Sequence, residues 1–272
     1  MKLSSNDKLK GYAFDVDSNL IFTNTKILLE KFDGEKWNLI EVSQEEYPEL
    51  IKLAEYRFLD GDREKSMQNF VAHGTFQNEF IDALDNNRFG PSWDKFKQAT
   101  MTAKPSSIIT ARGHPMQEIK DTHKFLIFEV LEQSELDQLI HWMGVNTNHR
   151  SRNKNKVVNN YLDNNLYLPV RSNDFDKMFN VDKNLSTRER KLVGFEAFLN
   201  HLYKVFEKYT SNIYLENKKI SIGFSDDFYE NVDGMRNFIE SVLLKKYPNF
   251  RFSVYDTSNP KFVKKITLER DN

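Results

Sequence analysis

Cysteine is absent from all 272 residues, which excludes disulfide frameworks, thiol nucleophiles, iron–sulfur clusters and thiolate zinc sites and suits a reducing compartment. Any metal must then be held by oxygen or imidazole. Glycine and proline are sparse, at 10 and 7 residues, so collagen-like and linker-dominated chains are excluded as well. No charge sign prevails: 39 Lys and Arg stand against 40 Asp and Glu, a formal net charge of -1, so no global basic footprint draws the chain to nucleic acid. Long apolar runs are missing too. The stretches LIFTNTKILL and KFLIFEVL are short and broken by polar residues, which predicts no signal peptide, no membrane span and a cytoplasmic setting. The histidines form no H-x-H or H-E-x-x-H pair and no GxxxxGK[ST] loop occurs, which argues against zinc hydrolases and P-loop enzymes.

What is present is the composition of a folded chain, with 39% hydrophobic, 13% aromatic and 29% charged residues. β-rich runs at Tyr12–Val16, Ser107–Thr110, Leu166–Val170, Ile220–Phe224 and Phe252–Tyr255 alternate with polar or helical segments. That alternation predicts an α/β fold, doubly wound around a mostly parallel, Rossmann-like sheet. Leu192, Phe195, Leu199, Leu202 and Phe206 recur at helical spacing, as do Val232, Met235, Ile239 and Val242, so each set predicts a helix with one buried stripe. Pro115 suits the first turn of a helix running through Ile119, Leu126 and Val130, and a second helical piece spans Ser134–Met143.

About ninety residues separate the first two strands, far more than a crossover needs. Residues 23–103 therefore read as an insertion in a core made of 1–22 and 104–272. Lys26–Phe32 and Trp37–Val42 flank Asp33-Gly34 as a hairpin, a helix is expected over Gln44–Phe58, and the rest reads as a small, mainly helical cap. Its aromatic anchors Phe70, Phe76, Phe80, Phe89, Trp93 and Phe96 suit a packed mini-core better than a lid facing substrate. The asparagine-rich stretch Asn146–Asn165, with His149, Arg150, Arg152, Lys154 and Lys156, reads as a solvated loop. Its sharper reading is a basic rim over 149–156 for phosphate or nucleic acid. The Lys261, Lys264 and Lys265 run is a weaker signal of the same kind.

Chemistry gathers where strands end. Asp15-Val16-Asp17 closes the first strand and delivers two carboxylates to the carboxyl edge of a parallel sheet, where open α/β proteins place ligands. Alone, such a pair also serves simply to end a strand and turn the chain. The second strand adds the Thr110 hydroxyl, however, and the fourth ends in Ser225-Asp226-Asp227. Carboxylates converging on one spot repel unless a cation compensates them, and an all-oxygen site fits Mg²⁺ best.

Four segments in this order resemble the haloacid dehalogenase-like superfamily of phosphatases and phosphotransferases: Tyr12–Asp17, Ser107–Gly113, Lys191 at the start of an amphipathic helix, and Ile220–Asp227. The ITARG and GFSDD wording is also similar to members carried by bacteriophages, whose setting is the host cytoplasm. The resemblance implies an inserted flap hairpin with a small helical cap, and a Mg²⁺-dependent phosphomonoester hydrolase. Asp15 would be the nucleophile that becomes an aspartyl-phosphate, and Asp17 the general acid and base. Asp15, the Asp17 backbone carbonyl and Asp226 would hold Mg²⁺, with Asp227 an outer or alternate ligand, while Thr110 and Lys191 bind phosphoryl oxygens. Lys183, Arg188 and Arg190 compete with Lys191 for that role, and Arg112 and His114 are candidate substrate contacts. Ser18 and Asn19 depart from the family's Gly and Thr or Val. Ser18 is expected to strain the turn and Asn19 to hold it less well. That departure motivates a second reading, an inactive binding or structural protein on the same fold, viral in origin. A third reading is a phosphatase of nucleic-acid ends that uses the basic rim. Expected partners are a phosphorylated substrate, nucleic acid in that third reading, and no membrane.

Overall fold

The computed structural model describes residues 9–71, 75–147, 151–182, 184–208, 215 and 218–270. Every β-rich run forms a strand: β1 (Lys10–Phe14), β5 (Ser106–Thr110), β6 (Leu166–Pro169), β7 (Ile220–Asp226) and β8 (Phe250–Asp256). They pair in parallel, and β9 (Lys264–Leu268), which the sequence reading did not anticipate, adds to β8 in antiparallel fashion. The sheet order is β6-β5-β1-β7-β8-β9. The chain thus builds outward from β1 to one side and then returns to build outward on the other, the order that opens a crevice between β1 and β7.

Alternation along the strands sorts side chains onto two helical layers. Phe14, Ile108 and Tyr167 join a core with α1 (Phe76–Asp85), α2 (Trp93–Met101), α3 (Met116–Phe125), α4 (Gln133–Thr147) and α5 (Lys154–Asp163). Ala13, Ile109, Leu168, Phe224 and Phe252 face the other layer, formed by α6 (Asn173–Phe179), α7 (Thr187–Glu207) and α8 (Tyr229–Phe238). The α7 stripe is buried at Phe195, Leu199, Leu202 and Phe206. On α8 the expected stripe slips: Val232, Met235 and Ile239 are buried, but Val242 is 41% exposed and Leu243 takes its place. The cause is a π-helical turn over Ile239–Leu243, whose extra residue rotates the apolar face by one position.

Three further expectations are corrected. Gln44–Phe58 is not one helix but a single turn, Tyr47–Leu50, followed by β4 (Tyr56–Phe58). Tyr56 and Phe58 alternate around Arg57, the period of a strand, and Arg57 Nε reaches Glu30 across the pairing at 2.7 Å. Pro115 lies just outside α3, as its cap residue. The asparagine-rich stretch is largely the helix α5, because Val157, Val158, Tyr161 and Leu162 bury one face while the asparagines stay mostly on the other. His149 and Arg150 lie outside the described residues, and Lys154 pairs with Asp137 at 3.3 Å.

The inserted residues contribute to two cores. β2 (Ile27–Phe32) and β3 (Trp37–Val42) form the expected hairpin, and with β4 make a three-stranded antiparallel sheet over Ile27, Leu29, Val42 and Phe70. Phe76, Phe80, Trp93 and Phe96 instead pack with Phe14 and Val16 on the main sheet, and Phe89, 40% exposed, stacks on Trp93 at 5.0 Å. Among the described residues no helix is long and apolar enough to cross a membrane.

His123 lies inside the first core, its ring nitrogens 3.1 Å from Thr100 Oγ1 and from the Tyr167 hydroxyl. Burial pushes its pKa from 6.5 down to about 3. The unfolded chain therefore takes up a proton below pH 6.5 that the folded chain refuses, and the contribution of His123 to stability must fall as pH falls. The expected loss is about 1.4 kcal/mol per pH unit below 6.5, roughly 2 kcal/mol at pH 5. Urea unfolding of wild type and His123→Gln across pH 5–7 checks this; parallel profiles would refute it.

Candidate active site

The crevice between β1 and β7 is lined by the residues that end those strands. Phe14 pairs with Ser225, and the Asp15 N–H donates to the Ser225 carbonyl at 3.0 Å, so Asp15 and Asp226 emerge side by side. Strand alternation gives both the same face as Ala13 and Phe224, the face covered by α7. Ser186 and Glu189 close a capping box at the α7 N-terminus, and Lys191 follows on the first turns, 2% exposed. Its Nζ lies 3.0 Å from Asp15 Oδ1 and 2.7 Å from Asp226 Oδ2. Asp226 Oδ1 accepts from the Phe228 N–H at 3.0 Å and from Asn231 Nδ2 at 2.9 Å.

Asp15, Asp226 and Asp227 each bring a carboxylate oxygen within 4.8 Å of the others. Burial foremost, with the charges of Asp226 and Asp17 adding and Lys191 opposing, pushes the Asp15 carboxyl up to about 7. Burial, then Asp15 and Asp226, holds Asp227 well above the usual carboxylate range. Burial works against the Lys191 ammonium, but Asp15 and Asp226 more than restore it, and its pKa is raised. Such shifts mark a site short of positive charge. Buried Asp15 Oδ1 meets the Lys191 ammonium and makes no other contact to a donor among the described residues, and every candidate ligand is a carboxylate oxygen, so the residues fit a hard divalent cation.

Asp17 is turned elsewhere. Arg112, 0% exposed, grips it along one edge of the guanidinium, Nε to Oδ2 at 2.9 Å and Nη2 to Oδ1 at 2.6 Å, while Nη1 reaches Glu79 Oε2 at 2.7 Å. Thr23 Oγ1 donates to Asp17 Oδ1 at 3.2 Å and accepts from Gln44 Nε2 at 2.6 Å. Arg112, expected at most to touch substrate, is therefore a clamp on Asp17. The sequence drew attention to Arg112 by its place after Thr110, but Thr23, Gln44 and Glu79 carry no local signal that would pair them with Asp17.

The turn after Asp17 also behaves differently from expectation. Ser18 does sit in the left-handed region, at φ 58°, where glycine is favoured. Asn19, however, holds the loop firmly. Its Nδ2 donates to the Asp15 carbonyl at 2.9 Å and to Ser225 Oγ at 3.0 Å, and its Oδ1 accepts from Ser92 Oγ at 2.8 Å and Thr257 Oγ1 at 2.9 Å. An amide both donates and accepts, which neither valine nor a single hydroxyl can match in reach.

Thr110 ends β5 beside β1, buried, with its hydroxyl unpartnered. His114 is 4% exposed with neither ring nitrogen bonded, and burial followed by the Arg112 charge lowers its pKa. Of the rivals to Lys191, Arg190 bonds Asp176 and the Val170 carbonyl, Arg188 lies along Gly234, and Lys183 is outside the described residues.

Removing the Asn19 amide strands the Asp15 carbonyl and the hydroxyls around it. Asn19→Ala is expected to cost about 2–4 kcal/mol of folding stability in urea titration; a change below about 0.5 kcal/mol would contradict this account of the loop.

Comparison with protein-family models, with curated proteins and with solved structures returns no match to this chain.

Proposed function

We propose that the protein is a Mg²⁺-dependent phosphomonoester hydrolase of the haloacid dehalogenase-like kind, working through an aspartyl-phosphate on Asp15. The observation that carries this reading is the meeting of Asp15, Asp226 and Asp227 around the buried Lys191 at the crevice between β1 and β7. Asp15, Asp226 and Asp227 are the side chains that would hold Mg²⁺, which when bound offsets their charge and that of the phosphate.

The chain's own residues account for the rest. An Asp15 oxygen attacks phosphorus, the bond from phosphorus to the ester oxygen breaks, and that oxygen leaves with the electron pair and a proton from Asp17, whose carboxyl must swing off Arg112 to carry it. Water then attacks the phosphoryl group and gives a proton to Asp17, the bond from phosphorus to Asp15 breaks, and inorganic phosphate departs. Splitting one displacement into two is what a carboxylate nucleophile provides. Lys191 remains beside Asp15 as the fixed cation, and Arg112 holds the Asp17 carboxylate at rest. In this reading the β2–β3 hairpin is the flap, and the remaining inserted residues form the cap that chooses among nucleotides, nucleic-acid ends and small phosphometabolites.

Phosphate release from an aryl phosphate and a nucleotide panel, with Mg²⁺ or chelator, tests the assignment. Turnover is expected to need the metal and to fall at least about 1,000-fold in Asp15→Asn with the fold intact. Mg²⁺ at 100 times its Kd should stabilise the wild type by about 2.7 kcal/mol and the mutant by less. Turnover that survives Asp15→Asn or chelation would overturn the mechanism. Silence across the panel together with Mg²⁺ stabilisation would identify a binding protein on the same fold.

A further inference from the structure

The inserted segment brings one cation to the mouth of this site. Arg63 opens the short helix Arg63–Ser66, and its guanidinium lies 3.3 Å from the centre of the Phe228 ring, the residue that follows Asp226-Asp227. It is close enough to Asp227 for the two charges to attract, and it lies beside Tyr47 of the same segment. The other cations here are already committed: Lys191 to Asp15 and Asp226, Arg112 to Asp17 and Glu79. Arg63 forms no ion pair among the described residues, and its Nε is buried without an acceptor.

Its position is fixed by the next residue. Glu64 Oε1 accepts from the Thr187 N–H and hydroxyl, both at 3.1 Å, and Glu64 Oε2 accepts from Arg171 at 2.8 Å. The short helix is thereby tied to the start of α7, one turn before Lys191, with Arg63 held over the Phe228 ring. A stacked guanidinium keeps its edge donors in one plane, matched to a phosphate or carboxylate.

Resting on the phosphatase reading, we propose that Arg63 is a specificity-determining residue: it binds a second anionic group, a phosphate or carboxylate set back from the transferring phosphoryl, so that phosphomonoesters carrying such a second group are the preferred substrates. The transferring group is served by Lys191 and Thr110, which leaves Arg63 for an anion farther out.

Matched substrates test it: adenosine 3′,5′-bisphosphate against adenosine 3′-monophosphate for a phosphate, and phosphoglycolate against ethyl phosphate for a carboxylate. In wild type the member of at least one pair that carries the second anionic group should show a kcat/KM about tenfold or more higher, mainly through KM. Arg63→Gln should bring that ratio close to one, Arg63→Lys should restore part of it, and Lys65→Gln, whose charge is already paired with Asp60, should leave it as in wild type. A wild-type ratio near one in both pairs, or a ratio that survives Arg63→Gln, overturns the proposal. If nothing turns over, calorimetry with adenosine 3′,5′-bisphosphate separates the two questions. Binding weakened about tenfold or more by Arg63→Gln keeps the anion site while the hydrolase reading falls; equal binding, or none, removes the anion site.

Discussion

Like charges forced together at one edge of the sheet are the constraint on which the rest is built. Buried Asp15 and Asp226 and half-buried Asp227 share a few ångströms, and Lys191 is the cation the fold supplies in direct contact with two of them. A buried ion of either sign without its partner is strongly destabilising, so this contact must be assembled together with the core. The capping box at Ser186 and Glu189, the stripe from Phe195 to Leu202, and the register that aligns Asp15 with Asp226 all bear on it. Asn231 on α8 and the Phe228 N–H complete the arrangement by fixing the Asp226 carboxylate from the far side.

A second polar web couples the insertion to the same edge. Thr23, Gln44 and Glu79 come from the inserted residues, yet they meet on Asp17 and Arg112. Backbone packing tightens that junction: a Cβ on Gly113 would stand 2.0 Å from the Val71 carbonyl oxygen, and one on Gly90 would stand 2.4 Å from that of Asn19. Both glycines are therefore sites of close approach, where even alanine would displace backbone. Placement of Asp17 thus depends on the insertion as much as on the strand that delivers it.

Strand and helix identities on the main sheet were legible because burial on both faces leaves dense apolar runs and regular stripes, as at Ile108, Ile222 and the α7 series. The convergence of Asp15 and Asp226 was legible for a related reason, since in a parallel sheet the ends of neighbouring strands share one edge; Lys191, on a helix, was expected there only through the family resemblance. What escaped was set by tertiary pairing. β4 is too short to announce itself, and β9 is a half-exposed edge strand whose lysines read as solvated charge. The exchange of Val242 for Leu243 follows from a π-turn that no spacing rule anticipates. Asn19 was read as a loss because its partners, Ser92, Ser225 and Thr257, are distant in sequence and only the folded chain brings them to it. Arg63 was invisible for the same reason.

The two outer strands bear on how the molecule behaves in company. An open sheet offers unpaired N–H and C=O groups at both margins, a template on which another chain can add a strand and begin to aggregate. One margin is β9, which carries exposed Lys264 and Lys265, so an incoming strand must bring its own charges against ammonium groups. The opposite margin is β6, which spans only Leu166–Pro169 and ends in a residue with no N–H to share. The sheet is therefore self-limiting by two unrelated devices, charge on one flank and brevity on the other, and crowding in the cell finds little purchase on either.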